Sequence, residues 1–308
     1  MPEKDDIDIY RPAKNKVNPE IPYHFFHEEE PDEHGNIQQV NTILLTGKEC
    51  IFKCLMCDLW KNTLDDNTPL GAILKQLDYA LSRLPKASVI KLYNSSNFFD
   101  TKAVPVSDYP QIVSRLASYE TVIVENHPNL SGKLCVDFNE KLNGRLEVAM
   151  GLETIHPEVL PKLNKQLTAE DFKKAALFLK AHGIPTRAFV LLNPPFLTDK
   201  KENIEWTLRS VQFAFDCSVG AVSIIPTRAG NGIMDALHKR GDFVRPELDT
   251  LEEVFEKALS LKEGRVFVDT WDLQKFSNCD ECFQQRKNRL EKMNLEQKVF
   301  EKVECNCF

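Results

Sequence analysis

Between residues 41 and 269 the chain alternates short, nearly continuous apolar runs with longer segments whose apolar residues recur every three or four positions. The runs are NTILLT (41–46), SVIKLY (88–93), TVIVE (121–125), RLEVAMG (145–151), TRAFVLL (186–192), AVSIIP (221–226) and RVFVD (265–269). Runs apolar on both faces predict parallel strands covered on each side. Between them, Leu70, Ile73, Leu74, Leu77, Leu81 and Leu84 predict a helix over 69–84, with Thr68 as its cap and Pro69 in its first position. Residues 168–182 offer Thr168 as a cap, Phe172, Ala175, Ala176 and Leu179 as a buried face, and Gly183 as a stop. Residues 199–216 repeat the pattern, and Thr250 with Glu253 predicts a capping box for a helix near 251–262.

Strand–helix repetition of this kind makes a parallel sheet. The candidate polar residues fall just after strands, where the rim of a barrel would gather them; an open sheet would concentrate them at one switch point. The expected fold is α/β, a partial (β/α)6-type TIM-like barrel over 39–270. A polar extension (1–38) precedes it and a cysteine-containing extension (271–308) follows. Within the first extension, HEEEPDEHGN (27–36) reads as an exposed turn or loop.

Composition narrows the chemistry. The 308 residues suffice for one barrel, and a formal net charge of −7 argues against strong autonomous binding to nucleic acid. No apolar run reaches the about 18 residues of a membrane span, and the polar start MPEKDDIDIYRPAKNK does not read as a secretory signal. A cytoplasmic location is therefore expected. In that compartment nine cysteines point to metal or redox chemistry and away from disulfides. Seven of them stand in groups: Cys50/Cys54/Cys57, Cys279/Cys282 and Cys305/Cys307. Cys135 and Cys217 stand alone and are expected as buried small hydrophobes.

The first group lies in TGKECIFKCLMCDLW (46–60), just after the first parallel run. A structural zinc site wants four ligands and a disulfide two. A 4Fe-4S cube takes one thiolate per iron, so three cysteines on one loop hold three irons and leave the fourth open. The spacing C-x3-C-x2-C resembles the signature of the radical S-adenosylmethionine (radical SAM) superfamily. That resemblance implies a 4Fe-4S cluster on Cys50, Cys54 and Cys57, with S-adenosylmethionine (SAM) chelated at the open iron. It also implies reductive cleavage to a 5′-deoxyadenosyl radical, with flavodoxin or ferredoxin as the electron source.

Further segments carry the likeness. YNSSNFFD (93–100) stands where the family has a glycine-rich stretch for the methionyl amine. The glycines are absent here, and Asn94, Ser95, Ser96 and Asn97 offer polar groups in their place. Glu125 in VENHP matches the family's glutamate-containing segment. MGLETIHPEVLPKLNKQLTAEDF resembles a segment of the elongator- and methylthiotransferase-like branch, with Glu153 and Lys165 at its polar positions. That branch often has arginine where Lys165 stands. IIPTRAGNG (224–232) sets Arg228 at the rim, suited to a carboxylate of substrate or cofactor. These residues, with Glu125, Glu153 and Lys165, form the implied cofactor-binding set.

The remaining cysteines, in NCDECF (278–283) and ECNCF (304–308), suit zinc or a second iron–sulfur cluster. Within the superfamily the chain is similar to the radical SAM subunit of archaeosine synthase and its bacterial relatives. This implies a modified nucleoside, or tRNA carrying it, as substrate. The candidate phosphate-contacting patch is basic: Arg286, Lys287, Arg289, Lys292 and Lys298. Two other readings fit the residues: a radical SAM enzyme for a small metabolite or peptide, and a non-catalytic zinc-binding interaction protein.

Overall fold

In the computed structural model, which describes residues 6–305 and 307, eight strands form one sheet in sequential order. They are β1 (His24–Pro31), β2 (Ile37–Leu45), β3 (Val89–Asn94), β4 (Thr121–Glu125), β5 (Arg145–Glu153), β6 (Thr186–Leu192), β7 (Ala221–Pro226) and β8 (Arg265–Val268). The helices are α1 (Asp6–Tyr10), α2 (Ala72–Leu81), α3 (Tyr109–Arg115), α4 (Lys133–Asn139), α5 (Ala169–Ala181), α6 (Lys200–Asp216), α7 (Ile233–Arg240), α8 (Leu248–Leu259) and α9 (Asp280–Glu296). No helix among the described residues is long and apolar enough to cross a membrane.

All seven expected strands are present and parallel, β2 through β8. Their C-terminal ends therefore share one rim. The sheet curls into a partial barrel, and among the described residues β1 and β8 exchange no ladder hydrogen bonds. The helices pack their apolar faces against the strands: Leu77, Phe138, Phe172 and Phe255 are fully buried, each contributing about 1.5–3 kcal/mol. Cys135 and Cys217 sit in this core, as expected.

Strand β1 was not expected. Residues 24–31 pair antiparallel with β2, and the turn is confined to 32–36, where Asp32 accepts from the backbone of His34 and Asn36 at 2.8 Å each. The acidic run looked solvated because its partners lie far away in sequence. Glu28 and Glu30 share one face of the strand and reach Lys91 of β3 at 2.9 and 2.5 Å. Glu30 also meets Arg187 of β6, and Arg187 meets Glu147 of β5 at 2.7 Å. Arg187 is 2% exposed, so β1 is fastened by charges inside the barrel.

Three local expectations also change. Thr68 does not cap α2: its Oγ1 accepts from Lys48 N at 2.9 Å, Gly71 takes the cap in a left-handed conformation, and Leu70 is 75% exposed. No capping box forms at Thr250, because α8 already starts at Leu248 and Thr250 lies inside its first turn. Thr168 caps α5 as expected, and does so in a capping box with Asp171. On α9, Arg286 and Arg289 are buried, at 4% and 6% exposure, against Glu252 and Glu256 of α8. The basic patch therefore loses two of its members to an inter-helix ion network.

Candidate metal and cofactor site

The loop after β2 carries Cys50, Cys54 and Cys57, all partly buried. Distant residues tether its backbone. Leu55 N donates to Leu163 O at 2.9 Å, and Asn164 Nδ2 to Lys53 O at 3.0 Å. From the loop after β7, Asn231 Nδ2 donates to Leu55 O and Cys57 O at 2.9 and 3.0 Å. The next residue, Gly232 (φ +89°), passes so close to Tyr10 O that a side chain there would collide with it. Phe52 stacks on His127 at 3.6 Å between ring centroids. His127 Nδ1 accepts from Asn129 N at 3.1 Å, so its Nε2 carries the proton and donates to Lys165 O at 3.0 Å. Burial first, and Lys165 second, push the His127 pKa down to about 3, which keeps the imidazole neutral.

Burial raises all three thiols, Cys54 to about 12. A metal centre is what turns such thiols into thiolates. A 4Fe-4S cluster would give each of the three thiolates its own iron.

Beside this loop lie Asn94, Ser95, Ser96 and Asn97, each no more than 7% exposed. Asn97 Nδ2 donates to Cys50 Sγ at 3.3 Å. Asn94 Oδ1 and Nδ2 and Ser96 Oγ are buried without a partner in the structure, while Ser95 faces the Tyr23 hydroxyl. Buried polar atoms are normally satisfied, so three orphans in one short turn suit a polar ligand. Phe98 N donates to Glu125 O at 2.9 Å, which fixes the turn against the end of β4. Burial lifts the Glu125 carboxyl to about 8, with Lys165 opposing and Glu153 assisting.

Glu153 and Lys165 form a buried ion pair at 2.6 Å, each side chain 9% exposed. A register shift between Gly151 and Glu153, with Glu153 at φ +65°, aims the carboxylate. Gly151 is needed for this, since a Cβ there would strike both Glu153 Oε1 and Lys165 Nζ. Burial disfavours the Lys165 ammonium, but the charge and hydrogen bond of Glu153 oppose this and raise its pKa.

Arg228 lies apart from that group. It pairs with Asp269 at 2.8 Å and donates to Trp271 O at 2.6 Å. With Arg245, Lys275, Phe276 and Gly230 it lines a cavity of about 360 Å³. Gly230 and Asn231 connect this cavity to the cysteine loop, as Lys61 Nζ donates to Gly230 O at 2.7 Å.

No family model matches the chain. An uncharacterized protein of Methanocaldococcus jannaschii is 24% identical over 86% of this chain and 79% of its own. The archaeosine synthase subunit beta of Methanosarcina acetivorans is 24% identical over 67% of this chain and 61% of its own. Among solved structures, Elp3 of Methanocaldococcus infernus superposes with TM-score 0.54 and 17% identity over 71% of this chain and 59% of its own. Streptococcus suis SuiB bound to S-adenosylmethionine gives 0.51 and 14%, over 72% and 48%. Escherichia coli coproporphyrinogen III oxidase (HemN), a radical SAM enzyme, gives 0.50 and 17%, over 77% and 54%.

The chain has the radical SAM fold. In this chain the cysteine loop follows the first parallel strand, β2, and the orphaned polar turn follows the second, β3. Sequence reasoning missed His127, Asn164 and Asn231, which hold the cysteine loop in place. Their only local signal is a polar residue directly after a strand or beside a lysine or glycine.

Proposed function

We propose that this chain is a radical SAM enzyme acting on a modified nucleoside, free or within tRNA. The observation that carries the class is the juxtaposition of three clustered cysteines with a buried, unpartnered polar turn on one barrel rim. When bound, the cluster and SAM supply a 5′-deoxyadenosyl radical that abstracts hydrogen from substrate, given an electron from a flavodoxin- or ferredoxin-type donor. Cys50, Cys54 and Cys57 hold the cluster. The oxygens of Asn94, Ser95 and Ser96 accept from the methionyl ammonium, and Glu125 offers it a carboxylate once deprotonated. Lys165 holds Glu153 in place through their 2.6 Å ion pair at the same rim, where the two would bind the cofactor's polar groups.

The nucleoside reading rests on two features of the rim and on the archaeosine synthase relative. Trp271 is 52% exposed and flanked by Phe26 at 5.5 Å and His24 at 5.9 Å, a platform on which a base can stack. The adjoining cavity is lined by Arg228, Arg245 and Lys275 together with Asp235; Arg228 and Lys275 pair with Asp269 and Asp272, so Arg245 is the cation offered to a phosphate. This rim position replaces Arg286 and Arg289 of α9, which are buried in their own ion network.

Anaerobic reconstitution should give four irons per chain at the first site, with 5′-deoxyadenosine formed from SAM under dithionite. Cys50→Ala, Cys54→Ala and Cys57→Ala should each abolish that product; production in any of them contradicts the site. For the substrate, comparison of tRNA nucleosides from wild-type and deletion strains should show one modified base lost or a precursor accumulated. Unchanged tRNA with an altered small metabolite would refute the nucleoside reading.

A further inference from the structure

The four cysteines outside the cluster loop come together, although 22 residues separate the two pairs. Cys279 Sγ lies 3.9 Å from Cys305 Sγ, and Cys282 Sγ lies 3.7 Å from Cys307 Sγ. All four sulfurs lie within 4.8 Å of one another. A Zn–S bond of about 2.3 Å in a tetrahedron sets sulfur–sulfur separations of about 3.8 Å. A disulfide would need about 2.05 Å. A cluster would place each sulfur on a different iron and spread the four more widely.

The chain path is built to close this group. Helix α9 has 17 residues, about 25 Å of rise, running down from the rim. Gln297 (φ +52°) then reverses the chain, and its side chain pins the reversal to Val266 of β8 at 2.8 and 2.9 Å. The returning segment is gripped midway, where Arg289 donates to Phe300 O and Glu301 O at 2.5 and 2.8 Å. Eight extended residues cover about 26 Å, so 298–305 climbs back to the start of α9. Cys279 is the N-cap of α9 and Cys282 lies in its first turn. The guanidinium of Arg286 lies against Cys282 while bonded to Glu252, a cation suited to the net −2 of one divalent ion with four thiolates.

We propose that Cys279, Cys282, Cys305 and Cys307 bind a single zinc ion as a closed tetrahedral structural site that straps the returning tail to the top of α9. The strap steadies the neighbouring segment 271–277, whose Lys275 and Phe276 wall the rim cavity. Binding exchanges four thiol protons for the ion, with no change of oxidation state. The inference does not depend on the radical SAM activity and can fail separately from it.

The test uses the full chain with Cys50, Cys54 and Cys57 all replaced by Ala, alongside the wild type, with metals measured by mass spectrometry. One zinc per chain is expected in both, with four sulfurs at about 2.3 Å by X-ray absorption. Adding Cys282→Ser should weaken zinc retention against a chelator at least a hundredfold, and chelation should open 297–305 to protease. Iron in place of zinc, four freely titrating thiols without metal, or no free thiols because two disulfides have formed would each overturn the proposal. The wild-type stoichiometry decides the question even if the Cys282→Ser chain fails to fold.

Discussion

Replacing Lys165 by Met removes the cation paired with Glu153 and leaves a carboxylate buried at the barrel mouth. At the observed 2.6 Å and an effective dielectric of about 20, the attraction removed is about 6 kcal/mol. Desolvation of the two charges offsets part of this in the intact pair. The expected loss is about 3–5 kcal/mol, the range for stripping one partner from a buried pair. That is a large share of the about 5–15 kcal/mol that holds a domain folded. Glu153→Gln in the Lys165→Met background removes the stranded charge, so the double variant should be more stable than Lys165→Met alone. The coupling between the two sites should reach at least about 2 kcal/mol. Gly151→Ala provides an independent arm, because its methyl would occupy the space of both partners; its loss should approach that of Lys165→Met. Urea unfolding of cluster-free protein at pH 7, followed by circular dichroism, measures these three variants and Glu153→Gln alone. If the single variants each lie within about 0.5 kcal/mol of wild type and combine additively, with Gly151→Ala silent, the pair does not hold the mouth together and the reasoning fails.

Glu125 makes cluster-free protein pH-sensitive. Its folded pKa of about 8 lies above its ordinary value of 4.5, so between these values the native chain holds a proton that the unfolded chain has lost. This contribution is complete below about pH 4.5 and is lost as pH rises toward 8, with a slope of up to about 1.4 kcal/mol per pH unit. Glu125→Gln should flatten that slope in urea titrations at pH 6, 7 and 8, and an unchanged slope would assign it elsewhere. Asn231→Ala strands two carbonyls of the cysteine loop and should destabilise the protein by about 1–3 kcal/mol and speed cluster loss in air, followed by the decay of absorbance near 400 nm. Trp271→Ala should raise KM for the nucleoside substrate at least tenfold with 5′-deoxyadenosine formation intact; an unchanged KM would remove the stacking platform.

The residues that were legible in the sequence and those that were not differ in where their partners lie. Continuous apolar runs identified β2 through β8, because burial on both faces is written into each run itself. The expectation of a metal site at Cys50, Cys54 and Cys57 likewise needs only one short segment, because the spacing itself suggests the chemistry. Glu28 and Glu30 were misread because Lys91 and Arg187, which neutralise them, stand 61 to 157 positions away. Arg286 and Arg289 were misread as an exposed basic face because Glu252 and Glu256 belong to another helix. Both errors treat a run of charge as solvated, which is correct only when nothing across the fold answers it. The period of the run held a clue. In FFHEEEP, residues Phe26, Glu28 and Glu30 fall on one face of an extended chain, as a strand requires. Net charge conceals that alternation. Gly151 adds the converse case, where the informative feature is the side chain that is missing: it leaves room for Glu153 and Lys165 to meet, and only the fold shows that they do.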